Sequence, residues 1–257
     1  MKNLNRRLLL GAALGAATAA LPFACAPQAL AQQADPVYSC PLCRNLGRPL
    51  GIDANATPTT KVKIARSSGD AETDRFLGRA LGRISGTFGV SPGFAFYDDS
   101  AGLNALAVRE TLIGNGPGTV LMGMHLFGQL MARVRDGGIT VIAVCAHEFG
   151  HIYQMQAGYE RRLGELDKTD RPFELHADFL SGYYLALRKA QHPELDLSAV
   201  GRVLHSLGDS AFASRQHHGT PEERVGALAA GFKFGLDGSH DIAEAARAGF
   251  LLVRQNS

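Results

Sequence analysis

The chain lacks a strong excess of charge of either sign. Its formal net charge is +2 over 257 residues. Three of its cations, Lys2, Arg6 and Arg7, precede the first acidic residue, so a chain cut after residue 31 would be slightly acidic. A nucleic-acid-binding or anionic-membrane-binding surface is therefore not indicated. Cysteine is also scarce, at four residues. Cys40 and Cys43 form a single C-x-x-C, and a zinc knuckle needs two such pairs. There is no internal repeat and no long low-complexity tract, which sets aside solenoids and fibrous classes. No interior segment is long and apolar enough to span a bilayer, because His147 interrupts the most apolar run soon after Val144.

What the chain does contain suits one globular domain, since 46% of its residues are hydrophobic, enough for a sizeable core. Residues 1–31 read as an export signal. Arg6-Arg7 precede an apolar run from Leu8 to Leu21, Pro22 ends it, and Ala29-Leu30-Ala31 offers a small-residue cleavage site. The paired arginines before Leu8 resemble a twin-arginine signal. The expected location is exported, periplasmic or secreted. Residues 32–60, rich in Pro, Gly, Asn and Thr, read as an irregular arm, and in an oxidising compartment Cys40 and Cys43 are expected to pair as a disulfide. Residues 61–257 form the expected domain.

The informative stretch is Val141 to His151, V-I-A-V-C-A-H-E-F-G-H. On a helix, i and i+4 share a face, so His147 and His151 can point at one ion. Neutral imidazole is a good ligand for Zn2+, and Glu148 beside the first histidine suits a general base. The apolar run from Ile139 to Val144 expects this helix to be buried, with Gly137-Gly138 breaking the chain before it and Gly158 ending it. Two buried histidines and a glutamate on a core helix need a reason to be there.

Catalytic zinc usually takes three protein ligands. Glu174 is the expected third, on a helix from Phe173 to Ala190 with Asp170 as its N-cap. Asp178 lies one turn on, where it can accept a hydrogen bond from the far nitrogen of a ligand histidine. Ser181 continues the same face. The periodicity also predicts a helix over Asp70 to Ile84 with Phe76, Leu77, Ala80, Leu81 and Ile84 on one side. Short strands are expected at Lys61 to Ala65, Phe94 to Tyr97, Asn104 to Val108 and Thr119 to Met122. Tyr159 to Asp170 is charged and reads as a loop, while Pro221 to Phe234 and Asp241 to Val253 read as helices.

H-E-F-G-H followed by E-L-H-A-D resembles the gluzincin metallopeptidases, most of all the CAAX-prenyl-protease and heat-shock-protease group and the related neutral zinc metallopeptidases. Asn104-Ala105-Leu106-Ala107 is similar to the family's N-A-F-A segment, and His218 to Arg224 has the spacing of its downstream H-P…E-R segment, with Gly219 where many members carry proline. The likeness spans about residues 70–230. It implies a mixed α+β, zincin-like domain with a small sheet, an active-site helix and a helical second half. It implies one Zn2+ held by His147, His151 and Glu174, with Glu148 as base and Asp178 behind a ligand. His218 and Arg224 would face a developing oxyanion. Thr119, Val120, Leu121 and Met122 would be an edge strand that pairs with an extended peptide. The expected activity is a zinc metalloendopeptidase acting on protein or peptide substrate. The second reading is a zinc-stabilised factor that binds peptides in quality control or assembly with little turnover, which has no need of Glu148.

Overall fold

The computed structural model describes residues 64–132, 137–198, 200–202 and 217–257. The expected export signal, the arm and the Cys40–Cys43 pair lie outside these residues. The described part is a mixed α and β structure, mostly helical, with a four-stranded sheet.

The sheet comprises β1 (Ile64–Ala65), β2 (Gly93–Tyr97), β3 (Ala105–Val108) and β4 (Thr119–Gly123), in the order β1-β2-β4-β3. β4 runs parallel to β2, Phe96 opposite Met122, and antiparallel to β3, Leu106 opposite Leu121. The expectation that Thr119 to Met122 is an edge strand is thus corrected. Both sides of its backbone are used within the sheet, and all five residues of β4 are buried. An extended peptide has no ladder to join there. Among the described residues the sheet ends on β1 and β3.

Helix α1 (Ala71–Phe88) begins at Asp70, whose side chain accepts from the Thr73 amide, and ends at Gly89 in the left-handed region. Its buried stripe is Leu77, Ala80, Ile84 and Phe88. Phe76, expected inside, is 56% exposed and lies under the Arg79 guanidinium. The helix runs one turn further than Ile84, so Phe88 takes the large apolar position of the stripe.

Helix α2 (Met124–Met131) follows β4 directly, and its N-cap is Gly123, which has no side chain to offer. Asp99, buried in the β2–β3 connection, supplies the cap instead: its carboxylate accepts from the backbone amides of His125 at 2.7 Å and Leu126 at 3.0 Å. Helix α3 (Gly137–Gln156) carries the H-E-F-G-H stretch, with Gly137 and Gly138 inside the helix rather than breaking the chain ahead of it. It packs on β3 and β4 on one side and on the helical half on the other.

Tyr159 to Gly164, expected as loop, forms the short helix α4. Tyr159 and Leu163, one turn apart, are both buried, and that apolar pair outweighs the charged residues between them. Helix α5 (Arg171–Gln191) follows, then α6 (Pro221–Gly235) and α7 (Ile242–Gln255). Thr220 with Glu223 and Asp241 with Glu244 make complete capping boxes for α6 and α7. α5 and α6 approach to backbone contact. A Cβ on Gly182 would stand 2.0 Å from the Leu228 oxygen, and one on Gly231 1.9 Å from the Phe179 oxygen. Arg171, whose guanidinium donates to Glu223 and to the Asn256 oxygen, fastens the starts of α5 and α6 to the C-terminus.

Candidate metal centre

The site lies where α3 crosses α5. Gly150, between the two histidines, lets the helices come close: a Cβ there would meet Ala177 Cα at 3.3 Å. That approach brings Glu174, Asp178 and Ser181 of α5, at i, i+4 and i+7, toward α3. Ser181 Oγ donates to the Ala143 oxygen at 2.9 Å and fixes the register of the crossing.

His147, His151 and Glu174 are all buried and together form a group that could hold a metal ion. The two Nε2 atoms are 3.0 Å apart, His147 Nε2 is 3.4 Å from Glu174 Oε2, and His151 Nε2 is 3.3 Å from Glu174 Oε1. Ligands about 2.0–2.2 Å from a tetrahedral ion lie about 3.3 Å from one another. The hydrogen bonds behind the rings set what each Nε2 offers. His147 Nδ1 donates to Asp178 Oδ1 at 2.8 Å. Gln154 Nε2 donates to the Phe173 oxygen at 2.9 Å and to His176 Nδ1 at 3.0 Å, so its Oε1 is left to accept from His151 Nδ1 at 3.0 Å. With both Nδ1 protons committed, the two Nε2 atoms converge on one point, where a proton on His147 in the metal-free chain gives way to a cation. Glu174 Oε1, buried and making no hydrogen bond, fits the same demand. The donor set of two imidazoles and a carboxylate suits a divalent ion such as zinc.

The electrostatics follow from burial and from Arg224. Burial alone would lower the pKa of His147, but the carboxylates of Asp178 and Glu174 outweigh it and raise it to about 10 in the metal-free chain. Burial would raise Glu174 and Asp178, yet the Arg224 guanidinium and the neighbouring histidines hold both below the usual carboxylate range. Arg224 Nε donates to Asp178 Oδ2 at 2.7 Å, and Nη2 reaches Asp178 Oδ1 at 3.0 Å and Glu174 Oε2 at 3.1 Å. Arg224, expected to face a reacting oxyanion, instead directs this buried fork at the carboxylates of the site itself. Glu148 follows His147 on α3, nearly enclosed, and burial pushes its carboxyl up.

His218 is half-buried and lies near Asp170. Asp170 does not cap α5 as expected: its backbone is already helical and its side chain bonds no first-turn amide. It is buried instead, with Oδ2 unbonded, and burial together with the nearby Glu174 charge pushes its carboxyl up to about 7. Thr119 to Met122 belong to the sheet interior. Cys145 is buried, and burial raises its thiol far above the ordinary range, so it is an inert core residue.

Gln154 and His176 emerge only from the structure. Gln154 is 2% exposed and His176 0%, deeper than either His147 or His151. His176 Nε2 donates to the Ala246 oxygen of α7 at 2.9 Å, its ring stacks on Tyr159, and burial holds its pKa down to about 4. The available sequence signals were Gln154 three residues after His151 and a histidine inside E-L-H-A-D.

Comparison of the chain with protein-family models, curated proteins and solved structures returned no match. Among the described residues no helix is long and apolar enough to cross a membrane.

Proposed function

We propose that the chain is an exported zinc-dependent endopeptidase. The observation that carries the proposal is the convergence of His147 Nε2, His151 Nε2 and Glu174 within 3.0–3.4 Å of one another, with Glu148 next to the first ligand on the same helix. Zinc bound by these three residues supplies Lewis acidity toward a carbonyl oxygen and acidifies water. The rest is work for the chain. Glu148 takes the proton of the attacking water and passes it to the departing amine. Its burial suits that double role, because burial raises the carboxyl's pKa and so favours holding the proton between the two steps. Asp178 holds His147 with Nε2 toward the ion, and Arg224 balances the charge of Asp178 and Glu174. His218 is the residue left to stabilise a developing oxyanion, and it sits at the Asp170 margin of the site. The substrate class is protein or peptide, drawn from the gluzincin likeness of H-E-F-G-H and E-L-H-A-D. A peptide would pair elsewhere than β4.

Digestion of casein with and without a zinc chelator tests the proposal. Activity lost to the chelator and restored by Zn2+ is expected. Glu148→Gln should keep zinc and lose most turnover, on the order of a hundred-fold or more. A zinc-loaded parent that cleaves nothing, or a Glu148→Gln variant that cleaves normally, would overturn it. The first of these outcomes would leave the peptide-binding factor as the better reading.

A further inference from the structure

Resting on the metal-centre reading above, we infer that Gln154 and His176 are positioning residues for the metal, forming a directed hydrogen-bond chain that runs from the C-terminal helix to His151. Each link has one possible polarity. The Ala246 oxygen can only accept, so His176 Nε2 carries the proton. His176 Nδ1 must then accept, and only the amide nitrogen of Gln154 can donate to it. The Phe173 oxygen, also an acceptor, holds the same amide nitrogen from a second direction. Gln154 Oε1 is thereby turned toward His151, whose Nδ1 donates to it and whose Nε2 presents its lone pair beside His147 Nε2.

The packing around the chain is built to keep that polarity. Gln154 and His176 are closed to solvent, so no water can substitute for a missing partner. The His176 ring is clamped between Tyr159, stacked at 5.0 Å, and α7. α7 offers a small residue there: a Cβ on Gly249 would come within 3.2 Å of the His176 ring. An apolar residue at either position would fill the core as well, so what the polar pair adds is its hydrogen bond to His151. A purely structural role gives no reason for the amide to face a ligand ring.

The test is zinc competition against a chromogenic chelator on the full-length chain, with folding checked by circular dichroism. Gln154→Met fills the same space but removes the acceptor, and should weaken zinc binding by roughly 10–100-fold. Gln154→Glu keeps an oxygen facing His151 and should recover most of that loss, although it gives up the bonds to the Phe173 oxygen and to His176 Nδ1. His176→Phe, which preserves the stacking on Tyr159, should lose less than Gln154→Met in the same direction. The visible absorption of Co2+ bound in place of zinc should shift in Gln154→Met and not in Gln154→Glu, a signature that loosened packing alone would not separate. A folded Gln154→Met that binds zinc as tightly as the parent, or Met and Glu variants that lose equally, would overturn the inference and leave the metal centre standing. A parent that holds no zinc would overturn both. Should Gln154→Met fail to fold, long-range 1H–15N spectra of the parent decide. A proton on His176 Nε2 and none on Nδ1 supports the chain, and the opposite tautomer overturns it.

Discussion

The two histidines of the candidate metal centre sit one turn apart on α3, yet the structure supports them in different ways. His147 is backed by charge: Asp178 accepts its Nδ1 proton, and Arg224 grips Asp178 and Glu174. His151 is backed by neutral groups, the Gln154 amide, the His176 ring and a backbone oxygen. Both arrangements fix the same tautomer. The charged side also makes its imidazole a stronger base, while the neutral side sets orientation without adding charge to a buried site. A second carboxylate–guanidinium pair behind His151 would have cost further desolvation, and buried ion pairs recover that only with near-ideal geometry.

The comparison can be broken most severely with acid. His147 takes up a proton below about 10 in the metal-free chain, chiefly because Asp178 and Glu174 overcome its burial. An incoming ion must displace that proton. Zinc affinity should therefore fall as pH falls, by about tenfold per pH unit for one displaced proton. Chelator competition at a series of pH values checks this, and a flat profile between neutrality and pH 9 would remove the charged backing of His147 from the account.

The next effect is on stability. Arg224→Met leaves two buried carboxylates without their cation and should cost about 3–5 kcal/mol in the metal-free chain. Gln154→Met takes a partner from three neutral groups, the Phe173 oxygen, His176 Nδ1 and the His151 Nδ1–H, and should cost about 1–3 kcal/mol. Urea unfolding of the two variants compares them, and equal losses would mean that charge is not what distinguishes the two sides. The smallest change sharpens the contrast. Asp178→Asn keeps an oxygen to accept from His147 but removes its charge, so the two histidines become backed alike. Zinc affinity should drop by about tenfold, and its pH dependence should begin at a lower pH.

Much of this centre was legible in the chain because helical spacing is local. His147 and His151 at i and i+4, and Glu174, Asp178 and Ser181 at i, i+4 and i+7, each declare one face without knowledge of the partner. Gln154 and His176 declare nothing of the kind, since their meaning lies in an oxygen at Ala246, 70 residues beyond His176. The strand order was hidden for a related reason. Alternation and turn residues locate β4, but that it lies between β2 and β3 is a property of the assembled sheet. Asp170 looked like a cap from its place before Arg171-Pro172, and only the crowding of Glu174 and His218 around it shows a different environment.

The capping of α2 bears on the order in which the chain folds. α6 and α7 carry their stop-and-start signals within four residues, so their first turns can form as soon as those residues exist. α2 must wait for Asp99, 26 residues upstream of His125, to be delivered by a sheet in which β4 already pairs with β2. Closing that loop comes before the helix is rewarded, so the first turn of α2 depends on a non-local contact where those of α6 and α7 depend on local ones. α3 packs on both α2 and that sheet, which ties the setting of its histidines to the same non-local contact.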